Sequence, residues 1–295
     1  MANQSMLEGV QISINAGVAR IHFAHAKQNA FPATHLKDLK DAFELVSKDK
    51  KVHVIVLQSE PSMAFCAGAS FEDLLAVNTP EEGKVFFMGF ANAINAMRRC
   101  PQPIIARVHG KAVGGAVGLI SACDYALALP TAELKLSEIA IGIGPFVIAP
   151  VVQRKIGTAA LSELSLSSQS WKSVDWAKQK GLFAEILPTL DQLDKAVDQH
   201  AKRLASYAPE AVAALKKELW HNTDDWDHRL SSNAEITGRL LLSKQTQQTI
   251  QNIKNNQWVQ FALQRALASK QDMPYMAMMG CVKTYMVIAT SFMSQ

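Results

Sequence analysis

The sequence predicts an α/β fold built on a parallel sheet, and three observations predict it. Apolar β-branched runs alternate with helical stripes through the first half of the chain. Two of those runs, Val52–Leu57 and Ile104–Val108, lead into small-residue loops, Phe65–Ser70 and Val113–Gly118. The first strands form a hairpin signal of their own.

Taken in order, Val10–Ile14 alternates apolar and polar residues, Arg20–Phe23 does the same, and Asn15-Ala16-Gly17 between them is a turn signal. His35–Ser47 places Leu36, Leu39, Phe43 and Val46 at helical spacing. The strand Val52–Leu57 follows, with His53 expected as a packed core histidine. A second stripe over Glu81–Arg99 carries Val85, Phe86, Met88, Phe90, Ile94 and Met97, and Pro101 and Pro103 stop it. The strand Ile104–Val108, the second loop and an apolar helix over 115–122 come next. Strand-like Tyr125–Leu129 and Glu133–Leu136 lead into Ser137-Glu138. Residues 162–254 are mostly helical in pattern, broken at Lys180-Gly181, and beyond Asn255 the chain turns Gln-rich and then Met-rich.

Composition narrows the function class. With 295 residues, 48% of them hydrophobic, the chain can bury a full core in one or two domains. A net charge of +4, with acids interspersed among bases, argues against a dedicated nucleic-acid binder and leaves room for a local basic rim toward phosphates. Cys66, Cys100, Cys123 and Cys281 lie far apart, without metal-ligand spacing, and are expected as reduced thiols of a cytoplasmic protein with no metal site. The first residues lack the pattern of a secretory signal. Pro274–Met293 approaches spanning length, but its Lys283, Thr and Met residues argue against a membrane span. No Gly-x-Ser-x-Gly elbow, phosphate loop or Gly-x-Gly-x-x-Gly spacing occurs.

The two small-residue loops carry the chemistry. A residue without a bulky side chain lets a backbone N–H approach a ligand closely. Two such loops at the ends of neighbouring strands can aim two N–H donors at one oxygen, which is the construction of an oxyanion hole. Either loop alone is equally explained by a tight strand-to-helix turn.

The runs Ala64-Phe65-Cys66-Ala67-Gly68-Ala69-Ser70, His109-Gly110-Lys111-Ala112-Val113-Gly114-Gly115, Leu136-Ser137-Glu138 and Gly142-Ile143-Gly144-Pro145 occur in one order. Together they resemble the enoyl-CoA hydratase/isomerase (crotonase) superfamily over residues 8–254. Gly142–Pro150 is most similar to bacterial methylglutaconyl-CoA hydratase-like members. The resemblance implies a crotonase-like spiral of ββα units over 1–200, a C-terminal helical trimerisation region over 201–254, and an extension of unknown role over 255–295. It also implies a homotrimer or hexamer acting on an acyl-CoA, with coenzyme A part of the substrate and no further cofactor.

By position in those motifs, the backbone amides of Ala69 and Gly115 are the expected donors and Glu138 the expected acid–base residue. The resemblance places coenzyme A near Lys27, Gln28 and the backbone of Ala67, Gly68 and Phe71, with Gly114 beside the second donor. Lys27 is equally explained as a solvated loop lysine. Phe86, Phe87 and Phe90 are candidates for an acyl pocket or for plain core. A carboxyl beside an apolar pocket loses hydration, so Glu138 is expected to hold its proton toward neutrality unless it is a surface acid. The chain departs from the family pattern at Gly118, where many hydratases carry a second acid, and at Ser70, where an acid is common. The expected activity is addition of water to a 2-enoyl-CoA. The alternatives are isomerisation of a 3-enoyl-CoA or another thioester reaction, and a non-catalytic acyl-CoA-binding protein.

Overall fold

The computed structural model describes residues 8–255. The chain divides into two compact units, Met1–Thr249 and Ile250–Gln295, and the architecture below is that of the first. The Met-rich tail, Cys281 and the segment Pro274–Met293 lie outside the described residues.

The hairpin forms as its alternation predicts. Strands β1 (Gly9–Asn15) and β2 (Val18–Ala24) pair antiparallel in the register Gly9↔Ala24 to Asn15↔Val18. Helix α1 (Ala33–Lys48) follows, and Leu36, Leu39, Phe43 and Val46 are all buried. Then come β3 (Val54–Ser59), α2 (Phe71–Ala76), α3 (Pro80–Arg99), β4 (Ile104–Val108), β5 (Ala112–Val113) and α4 (Gly115–Ala122). The chain continues through β6 (Tyr125–Ala128), β7 (Leu134–Lys135), a 3₁₀ turn at Ile139–Ile141, and α5 (Ala149–Leu166). Next are α6 (Val174–Gln179), β8 (Glu185–Ile186), α7 (Leu190–Ala205), α8 (Pro209–Leu219) and α9 (Trp226–Leu241), and residues 244–255 are helical again.

Among the described residues the main sheet has six strands in the order β1-β2-β3-β4-β6-β8, and every pair after the hairpin is parallel. Such a sheet must be covered on both faces. The period-2 alternation sends Val54 and Val56 of β3, Ile105 of β4 and Leu127 of β6 into a cluster closed by Leu193, Val197 and Ala201 of α7. Ile55, Leu57, Ile104 and Ala106 are equally buried. Helices α1 and α9 both pack against α3. Gly83 and Gly238 let α3 and α9 touch at backbone distance, since a Cβ on Gly83 would lie 2.7 Å from the Gly238 Cα.

Several expectations need correction. His53 precedes β3 rather than sitting inside it, is only half-buried, and its Nδ1 lies 3.1 Å from the Ala205 carbonyl oxygen. Val85 is 72% exposed, so the stripe of α3 runs through Phe86, Phe90, Ile94 and Met97 without it. The mostly helical second half also contributes a sheet-edge strand, β8, too short to show periodicity. Its helices begin earlier than expected, at Ala149.

Candidate active site

The loops after β3 and β4 are clamped side by side by main-chain bonds. The Cys66 N–H donates to the Lys111 carbonyl at 3.2 Å, and the Val113 N–H donates back to Cys66 at 3.0 Å. A third segment joins them. The Ala112 and Gly114 amides donate to the carbonyls of Glu133 and Lys135, both at 2.9 Å, so β5 pairs parallel with β7. The stretches holding Ala69, Gly115 and Glu138 thus lie next to one another.

Glycine is required at two of these corners. Gly68 has φ +88°, and a Cβ there would sit 2.8 Å from the Val113 carbonyl oxygen and 3.9 Å from the Gly115 nitrogen. Gly114 has φ +57°, and its Cβ would lie 2.9 Å from the Glu138 Oε1. The flanking amides of Ala69 and Gly115 have no acceptor among the described residues, although the neighbouring Phe31 and Ser70 amides are paired across this bend. Both line a single apolar cavity, and Gly115 begins α4, whose N-terminal partial charge adds to that of its N–H.

Glu138 lines the same cavity. The residue is partly accessible, yet its Oε2 is buried and has no hydrogen-bond partner. Burial pushes its carboxyl up to about 7, against the opposing pull of its own main-chain N–H. The Ile143 N–H donates to the Glu138 carbonyl at 3.0 Å, which fixes the backbone through the following turn. Ile141 points inward, whereas Ile139 and Ala140 are exposed, so their apolar character does not mark burial of this segment.

The chain that builds this cavity has counterparts among known proteins. The model of the family described as Enoyl-CoA hydratase/isomerase matches residues 13–262. This chain belongs to the enoyl-CoA hydratase/isomerase family. It is 30% identical over 200 residues to the mitochondrial methylglutaconyl-CoA hydratase of Mus musculus, covering 68% of this chain and 63% of that protein. Over 261 residues it is 25% identical to the mitochondrial Delta(3,5)-Delta(2,4)-dienoyl-CoA isomerase of Rattus norvegicus, with 82% and 78% covered. The crystal structure of enoyl-CoA hydratase from Bacillus halodurans superposes with a TM-score of 0.77 at 22% identity, over 82% of this chain and 99% of that one. The fold is therefore the α/β spiral of the crotonase family.

Other family positions are placed as follows. Ala67, Gly68, Phe71 and Gly114 line the cavity with Phe87 and Phe90, whereas Phe86 does not. Lys27 and Gln28 lie outside it: Lys27 is exposed and ion-paired with Glu72, and the Gln28 Oε1 accepts the Ala64 N–H at 3.0 Å. The Gly118 position is not vacant. A Cβ there would meet the Ile148 Cγ2 at 2.4 Å, so Ile148 fills the space a side chain at 118 would need. Ser70 caps α2, its Oγ accepting the Asp73 N–H at 3.3 Å, a signal legible as Ser-x-x-Asp.

The remaining polar candidates are structural. His109 contacts the Met63 carbonyl oxygen through Nε2 at 3.0 Å, and burial pushes its pKa down to about 4. Cys66, Cys100 and Cys123 are free and buried, and burial raises all three thiols away from reactivity. Among the described residues no group of His, Cys, Asp and Glu could hold a metal ion, and no helix is long and apolar enough to cross a membrane.

Proposed function

We propose that this protein adds water across the double bond of a 2-enoyl-CoA, a reaction of the methylglutaconyl-CoA hydratase type. The observation that supports it is the convergence on one apolar cavity of two unpaired main-chain amides and a carboxyl titrating at about 7. The Ala69 and Gly115 N–H groups hold the thioester carbonyl oxygen. The Glu138 carboxylate takes a proton from water as the water oxygen bonds to C3. The electron pair of the double bond moves to the carbonyl oxygen, where the two amides stabilise the enolate, and Glu138 then delivers a proton to C2. One molecule of water is added in all, and no cofactor beyond the CoA of the substrate is needed. Loss of one such donor costs about 10²–10³ in rate.

A second reading has its own observation. Among the described residues the cavity holds one carboxyl, and Ile148 fills the space that a side chain at 118 would need. One carboxylate suffices to take a proton from C2 of a 3-enoyl-CoA and return it at C4, which is isomerisation.

Purified protein offered crotonyl-CoA and a 3-enoyl-CoA separates these reactions, because hydration removes enoyl absorbance and isomerisation creates it. A non-catalytic binding protein does neither. Glu138→Gln is expected to abolish turnover while binding of a saturated acyl-CoA persists. Turnover near the wild-type rate in that variant would remove Glu138 from the mechanism.

Assembly as a homotrimer or hexamer through residues 201–254 is part of the same proposal. The exposed Tyr207, Leu215 and Leu219 give that segment an apolar surface to cover. Three buried, unpaired thiols suit the reducing cytoplasm.

A further inference from the structure

We infer that the acyl group accepted by this cavity is an uncharged hydrocarbon chain, and that an acyl group ending in a second carboxylate is excluded. The inference rests on the proposed reading of the cavity as an acyl-CoA site, and it names the substrate class within that reading.

The lining carries the argument. Among the described residues no Lys, Arg or His contributes to it, and the polar side chains are Ser137, Glu138 and Thr237. The Thr237 hydroxyl is already committed, donating to the Asn233 carbonyl at 2.8 Å. Phe87, Phe90 and Ile148 are all less than a tenth exposed and wall the interior with hydrocarbon. Ile148 also fills the space beside Gly118, where the Cβ of any side chain would lie 2.4 Å from its Cγ2.

Three lysines on the loops and short strands around the cavity have contacts of their own. Lys27 is ion-paired with Glu72, Lys111 lies 3.0 Å from Glu133, and Lys135 sits 5.5 Å from the centre of the Trp171 ring. A substrate carboxylate entering this cavity would lose its hydration without gaining a cation from the described lining. It would also face Glu138, whose ionised form the catalytic step requires, so two like charges would share one low-dielectric space. A methyl end group meets neither obstacle and gains from leaving water. A methylglutaconyl group carries such a carboxylate, so the proposed likeness to methylglutaconyl-CoA hydratases extends to the hydration step and not to the acyl group.

Pentanoyl-CoA and glutaryl-CoA make the test. Both are saturated and cannot be hydrated, and they differ in a terminal methyl against a terminal carboxylate. Calorimetric titration of the full-length wild-type protein with each is expected to show pentanoyl-CoA binding tighter by roughly 10- to 100-fold. Equal affinities, or tighter binding of glutaryl-CoA, would overturn the inference. If neither ester binds better than free coenzyme A, the acyl-CoA reading of the cavity itself falls, a result distinct from equal tight binding. As a second readout, kcat/KM for crotonyl-CoA is expected to exceed that for glutaconyl-CoA by a similar factor, and the reverse order would also overturn it.

Discussion

Replacing Glu138 by Gln is expected to stabilise the fold at alkaline pH while it removes activity. The folded protein holds this carboxyl at about 7, against 4.5 for a solvated one, because burial penalises the charged form. A raised acid binds its proton more tightly when folded, so its contribution to stability is complete below the unfolded value. That contribution is lost as pH rises from about 4.5 through about 7, and stays lost above. At about 1.4 kcal/mol per pH unit, the full loss is at most about 3.5 kcal/mol, and contact of the residue with solvent on its cavity side reduces it. Gln has the same shape and no charge to desolvate. Denaturant titrations of both proteins, at one protein concentration, should therefore give a variant more stable by up to about 3 kcal/mol near pH 8. Near pH 5 the gap should fall below about 1 kcal/mol. Two stability curves that run parallel between those pH values would refute the placement of an ionisable carboxyl in a poorly hydrated cavity. Fixed protein concentration matters because assembly would shift the apparent stability of either protein.

Gly118→Ala should cost about 1–3 kcal/mol, since its Cβ would press 2.4 Å from the Ile148 Cγ2 and 2.7 Å from the Ile148 Cβ. Combined with Ile148→Ala it should cost less than the two single changes together, and a thermal-denaturation double-mutant cycle reads that coupling. Ser70→Ala should cost about 1 kcal/mol by uncapping α2, measured by chemical denaturation.

Much of the fold was legible because its strongest signals are periodic. The hairpin, α1, α3 and the strands Val54–Ser59 and Ile104–Val108 have apolar residues at spacings that one buried face demands. What escaped notice was short or set by tertiary context. The two residues of β8 hold no period, yet their pairing with β6 completes the sheet edge. Val85 sits in phase with a helical stripe, but α9 and α1 cover other parts of α3 and leave it in solvent. Ser70, a departure from the family pattern with no evident consequence in sequence, turned out to hold a helix start.

The site was legible in a different sense, through residues that lack side chains. Gly68 and Gly114 announce close backbone approach, and the structure supplies the neighbours: the Val113 carbonyl for one, the Glu138 carboxyl for the other. Gly118 shows where that logic stops. In a sequence, glycine at a position that bears an acid in related chains looks like a deletion, an empty slot that one substitution could refill. In the folded chain the volume belongs to Ile148, a β-branched side chain stiff at χ1 and 3% exposed. Restoring an acid at 118 therefore requires a second change at 148. The single carboxyl among the described residues of this cavity is a property of its packing, set by two positions together, and not of one residue alone.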